Sequence, residues 1–257
     1  AKQIIAIRDR WHTKNHPFFQ AMTDGSLDLW ALGIYMANHF QFVAHAQPAF
    51  GLLYYRAPQD VRDSLVENLA EEQGLAAIPG EGHEAHNHND MIFRFCAAAG
   101  IDEEAVRSTK MSASWVGRSL HYVHCLREEP IGVALAMQST QEGQQVDLNN
   151  EITIPAFQAH YGFKYDAPEI GFFIEHAEAD LEHSQRQIEL CEKYLDNEED
   201  KVRAIEVCED AVRLRWESIT DLHRRHVLNE DTILCINSCG HQKKDMKIIK
   251  ERLGHNL

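Results

Sequence analysis

Apolar residues recur along most of the chain at helical spacing, three and four positions apart, and strand signals are nearly absent. No long alternating run of Val, Ile and Thr occurs, and most of the seven prolines stand where a helix would start or stop. The segment HPFFQAMTDG reads as a short helix ended at Gly25, after which Ser26 caps a long apolar-periodic helix over 27 to about 46. A helix over 60–73 follows, closed by Gly74 and by the Pro/Gly-bearing connection LAAIPGEGHEAHN. Further helices are predicted over 88–100, 110–127, 131–146, 169–195 and 199–229, with an irregular stretch through Pro155 and Gly162. About seven helices of bundle length imply an all-α fold, a helical bundle.

A chain of 257 residues, 44% hydrophobic, suffices for one substantial core and is short for two, so a single domain over residues 1–230 is expected. Residues 231–257 carry five Lys or Arg against three Asp or Glu, a mildly basic tail on an acidic body. With 25 basic and 40 acidic residues the formal charge is −15, and a nucleic acid would bind against that field. No run approaches the roughly 20 apolar residues a membrane helix needs. The N-terminal AKQIIAIRDRW also lacks the hydrophobic block of a signal peptide, so a cytoplasmic protein is expected. Cys96, Cys125, Cys191, Cys208, Cys235 and Cys239 are scattered through helix-like segments and are read as thiols.

The sharpest chemical signal is EHAEADLEHSQ, where His176, Asp180 and His183 fall at i, i+4 and i+7. At 100° per residue they span a stripe of about 60°. On an isolated helix this also fits the wet face of an acidic surface. In a bundle core, however, the same stripe must be satisfied, because each unpaired buried polar group costs roughly 1–3 kcal/mol. Glu72 near a helix end, His88 opening the next helix, and Glu142 in the largely apolar IGVALAMQSTQEGQ segment add to it. A buried Glu142 without compensation would be protonated or disruptive, and a cation resolves that. Three imidazoles with three carboxylates suit iron or manganese in a helical bundle; a structural zinc site would favour cysteine.

HPFFQAMTDGSLDLWALGIYMANHFQF, ENLAEE followed by HNDMIFRF, IGVALAMQSTQEGQ and the H-x3-D-x2-H helix appear in that order. This combination resembles the heme-oxygenase-like dimetal oxidases and oxygenases, relatives of the pyrroloquinoline-quinone synthase and thiaminase-type bundles, over most of residues 10–230. The resemblance implies a heme-oxygenase-like bundle with two Fe(II) ions, the second weakly held, and dioxygen as co-substrate. Glu72, His88 and His176 would hold one iron, and Glu142, Asp180 and His183 the other. It implies reduction of dioxygen by both metals to a bridging peroxide, followed by oxidative C–C cleavage or N-oxygenation of a small, amino-acid-like substrate. An external electron donor and a homodimer are compatible with it. The chain departs from the family pattern in the long gap between Glu72 and His88, where Glu71, His83, Glu84 and His86 are rival ligands. Two other readings stay open: a metal-free oxidase or hydrolase on the same bundle, and a helical interaction protein docking through its basic tail.

Other residues are weighed against ordinary structural roles. His39 and His45 could line a substrate pocket or make core hydrogen bonds. Lys110, Arg118 and Arg127 could meet a substrate carboxylate, although a solvated helix face is the expectation. Tyr35, Tyr122 and Tyr161 read as core, and Cys235, Cys239 and His241 lack a fourth zinc ligand.

Overall fold

The computed structural model describes residues 1–77 and 84–230, without the side chains of 178–183. The described elements are helices: α1 (Lys2–Arg10), α2 (Pro17–Gln20), α3 (Leu29–Arg56), α4 (Gln59–Glu72), α5 (His88–Ala98), α6 (Glu103–Ser108), α7 (Ala113–Glu128), α8 (Ile131–Glu142), α9 (Gln145–Leu148), α10 (Ile154–His160), α11 (Gly171–Tyr194) and α12 (Glu198–His226). Among the described residues the only β pairing is an isolated antiparallel bridge between Gln73 and Asn87.

The expected helices are all present, and their ends differ for identifiable reasons. The N-cap of α3 is Asp28, whose carboxylate accepts the Trp30 N–H at 2.8 Å. Ser26 instead donates its hydroxyl to the Ala21 carbonyl, closing the turn that precedes the helix. The helix also runs to Arg56, ten residues beyond the expected end, straight through Pro48. A proline inside a helix costs about 3 kcal/mol; burial of Ala49, Phe50 and Leu53 just beyond it offsets that cost. The stretch after Val146, expected to be irregular, is helical instead: α9 begins at Gln145 and leads into a π-helical turn (Asn149–Thr153) and α10, with Pro155 in the first turn of α10, where its missing N–H is harmless. The expected helix over 131–146 therefore breaks at Gly143. Two short helices carried no strong sequence signal. α1 buries only Ile4 and Ile7 and has no side-chain cap, and α6 buries only Val106.

At the centre of the bundle lies α8, whose residues Gly132 to Gln141 are all buried. A helix buried all round has neighbours on every side; α8 packs on α11, α12 and α7. Its approach to α11 is close: a Cβ on Gly132 would stand 2.7 Å from the Tyr194 backbone. α3 packs on α7 and α5, so α3, α4, α5, α7, α8 and α11 surround one interior space.

Candidate metal centre

Two helices, α4 and α5, deliver the first pair of side chains. Glu72 is the last residue of α4 and His88 the first of α5. The two helix ends are held together just outside them: Gln73 pairs with Asn87, and the Asn87 side-chain amide donates to the Gln73 carbonyl at 3.1 Å. Gly74 permits this, with φ +68 and no Cβ; a Cβ there would lie 2.6 Å from the Asn87 nitrogen. Closing a longer connection costs only a little more entropy, so the long gap in sequence does not separate the two side chains in space.

His176, buried in α11, completes a triad with them: one donor atom each from Glu72, His88 and His176 lies within 4.8 Å of the others. Glu72 Oε2 is 3.0 Å from His88 Nδ1, and Glu72 Oε1 is 4.0 Å from His176 Nε2. The ring nitrogens turned away from the triad are anchored. His88 Nε2 meets Glu175 Oε1 at 3.2 Å, and His176 Nδ1 meets the Phe172 carbonyl at 2.8 Å. The Gln47 amide donates to Glu72 Oε2 at 2.8 Å. His88 Nδ1, fully buried, has no hydrogen-bond partner of good geometry despite its proximity to Glu72. Imidazoles with one nitrogen held by a carboxylate or carbonyl and the other left toward a shared point are the usual outer-shell arrangement of a metal site. Two imidazoles and one carboxylate are the donor set of non-haem Fe(II) centres.

The electrostatics favour a cation at that point. Burial pushes the Glu72 carboxyl up, but the His88 and His176 rings and the Gln47 amide outweigh it and bring it down to about 2. Burial likewise pushes the His88 ring down, yet Glu72 and Glu175 together raise it to about 10. His176 is lowered to about 4 by burial and by the neighbouring His88.

The remaining expected ligands divide. Glu142, at the end of α8, lines the same cavity and accepts the Gln187 amide at 2.6 Å. Asp180 and His183 lie on α11, but their side chains are outside the described residues, as are His83, Cys235, Cys239, His241 and the tail. Of the rivals to Glu72 and His88, Glu84 is exposed and Glu71 is outside the triad, while His86 lies 3.3 Å from Glu175 Oε2. Sequence reasoning missed Glu175 and Gln47. Glu175 sits beside a candidate ligand in an acidic helix, and its spacing alone does not distinguish it from the exposed glutamates around it.

The cavity of about 90 Å³ is lined by apolar and aromatic side chains, among them Phe42, Val43, Phe50 and Phe172, with His39 and Tyr122. His39 therefore does line a pocket, its ring held well below the usual histidine range by burial and by Arg118 and His176. His45 makes an ordinary bond to the Ser119 hydroxyl at 3.1 Å. Tyr161 donates to the Leu27 carbonyl, and Tyr35 packs among core aromatics, as expected. Lys110 and Arg127 are exposed, but Arg118 is not on a solvated face: it is buried in the cavity wall because α7 turns that side toward α3. Burial and the nearby Arg215 bring its pKa down to about 9. Cys96, Cys125, Cys191 and Cys208 are buried free thiols. No described helix is long and apolar enough to cross a membrane.

Residues 34–216 match the family described as iron-containing redox enzymes. The 4-aminobenzoate synthase of Nitrosomonas europaea is 23% identical over 238 residues, covering 89% of this chain and 92% of that protein. Its counterpart in Chlamydia muridarum is 22% identical over 201 residues, 78% of this chain and 80% of that one. Among solved structures, a domain of unknown function with a heme oxygenase-like fold from Shewanella denitrificans superposes with a TM-score of 0.70 at 18% identity, covering 89% of this chain and 92% of that one. A TenA homologue from Pseudomonas syringae gives 0.72 at 15%, covering 87% and 92%. The fold is thus the expected heme-oxygenase-like helical bundle.

Proposed function

Since this chain belongs to the iron-containing redox enzymes, we propose that it is a non-haem diiron oxidase or oxygenase that activates dioxygen against a small, amino-acid-like substrate in the cavity beside Glu72, His88 and His176. The observation that carries this reading is the triad itself, a buried two-imidazole, one-carboxylate set whose outward nitrogens are already anchored. Glu142, Asp180 and His183 are proposed to hold a second, weaker iron. When bound, iron supplies the electrons and the open coordination positions that dioxygen needs.

The chain's own residues do the rest. Glu175 and the Phe172 carbonyl fix the two rings so that Nδ1 of His88 and Nε2 of His176 face Glu72. Gln47 fixes the Glu72 carboxylate. Phe42, Phe50 and Phe172 keep bulk water from the reacting atoms. The size of the cavity favours a compact substrate over a long acyl chain, and oxidative C–C cleavage or N-oxygenation are the reactions proposed. The relatives' name adds a candidate product class, an aromatic ring bearing an amine and a carboxylate. Dioxygen takes four electrons to become water, so a substrate giving only two requires an external donor for the remainder.

Anaerobic Fe(II) titration followed by exposure to oxygen tests the reading in wild type, Glu142→Ala and His176→Ala. The expected result is two irons per chain and a transient visible band that both variants lose. Failure of the wild type to bind iron would sink the proposal in favour of a metal-free enzyme on the same bundle.

A further inference from the structure

Arg118 is a buried charge that iron binding leaves unused. It projects from α7 into the cavity that holds the triad and is 4% exposed. Its guanidinium carbon lies 4.1 Å from the Phe42 ring centre and 5.2 Å from that of Trp115. Nη2 donates to Gln141 Oε1 at 3.1 Å, whereas Nε and Nη1 have no hydrogen-bond partner, and neither does Gln141 Nε2. Among the described residues no carboxylate forms an ion pair with Arg118. Arg215, reaching the same cavity from α12, donates to the Gln141 carbonyl and to Gln145 Oε1, so a second cation stands behind the first.

An unsatisfied buried donor costs about 1–3 kcal/mol, and more when it is charged. A buried guanidinium without a counter-charge is costlier still. All the orphaned atoms of this pair are donors, so the group that satisfies them accepts hydrogen bonds and carries negative charge. The apolar wall beside them, Phe42 and Phe172, suits an anion with a hydrophobic body in preference to a bare inorganic one.

We propose that Arg118, with Gln141 Nε2, is the receptor for a substrate carboxylate, so that the substrate is a small organic acid held by its carboxylate at Arg118 with its body against Phe42 and Phe172. Arg118 is then a specificity-determining residue, and the assignment rests on the reading of this cavity as the active site. Arginine suits the role because its planar fork of donors matches a carboxylate, which the ammonium of lysine does less well.

The test is an equilibrium titration of the full chain, metal-free and anaerobically loaded with Fe(II), with benzoate, its uncharged isostere benzamide, and inorganic phosphate. Wild type, Arg118→Gln and Arg118→Lys are compared, and iron stoichiometry is measured on the same preparations. Expected are saturable benzoate binding even without metal, benzamide and phosphate at least tenfold weaker, and at least a tenfold loss of benzoate affinity in Arg118→Gln with iron stoichiometry unchanged. Arg118→Lys should fall between. The proposal is overturned if benzoate does not bind, if benzamide or phosphate binds as well, or if Arg118→Gln binds benzoate like wild type. The wild-type comparison of benzoate with benzamide needs no variant to fold. Benzoate discrimination without any iron uptake would overturn the iron reading and leave the carboxylate receptor standing; iron uptake without discrimination would do the reverse.

Discussion

Glu175 shows how one side chain sets the properties of another. Its carboxylate holds His88 Nε2 and faces His86, and with Glu72 it creates a place for positive charge around the His88 ring. A proton and a metal ion compete for that place. Because the His88 pKa is raised to about 10, the ring would have to lose a proton to take the proposed iron over the whole physiological range. Fe(II) affinity should therefore rise about tenfold per pH unit between pH 6 and 8, measured by anaerobic titration against a chelator of known pH dependence; a flat profile would show that His88 is not a ligand. Glu175→Ala removes the anchor without removing a ligand, and should weaken Fe(II) binding about 10–100-fold while leaving the stoichiometry unchanged. A variant binding iron like wild type would reduce Glu175 to a structural partner of His86.

At the scale of elements, the candidate metal centre depends on how α4 ends and α5 begins. The bridge between Gln73 and Asn87, with Gly74 in the left-handed region, brings the last residue of one helix beside the first residue of the next. Gly74→Ala introduces strain of roughly 1–2 kcal/mol from the backbone conformation, and adds a contact at 2.6 Å with backbone that cannot move aside cheaply. We expect it to lower Fe(II) affinity at least tenfold while far-UV circular dichroism stays helical. Unchanged affinity would mean that Glu72 and His88 are held together by the helices alone. Gly132 plays the corresponding part where α8 meets α11, letting the helix of Glu142 approach the helix of His176.

For the whole molecule, the N-terminal segment is tied to the final helix through buried histidines. His16 caps α2 by accepting the Phe18 N–H and meets the Thr220 hydroxyl of α12 at 3.0 Å. His12 lies beside Lys14, Asp147 and Arg215. Burial lowers both to about 4, from an ordinary value of 6.5. The folded-state pKa is depressed, so the unfolded chain takes up more protons between these values. Stability is retained above pH 6.5 and lost as pH falls toward 4, by roughly 3 kcal/mol per histidine at most. Urea unfolding midpoints should drop from pH 7 to pH 4.5, and His16→Asn, which keeps a capping side chain, should show a shallower drop. An equal drop in wild type and variant would remove His16 as a cause.

The sequence alone determined the all-helical class, the approximate position of each long helix, and the residue types from which a metal centre could be assembled. Helical periodicity and capping are local, and an apolar stripe reports burial directly, so these features are legible without a fold. His176 stands out in the sequence because its helix repeats polar ligand types on one face, and Glu142 because an acid in an apolar helix demands an explanation; the structure places both in the wall of one cavity. Tertiary structure decided what local pattern does not encode. It let α3 pass through Pro48, since burial beyond the proline outweighs the lost hydrogen bond. It placed Glu72, and not Glu71, against His88, since the approach of α4 to α5 depends on one bridge and one glycine. It also turned Arg118 inward, away from the solvated face its charge suggested, because the side of a helix that a charge occupies is set by the neighbours packed against it.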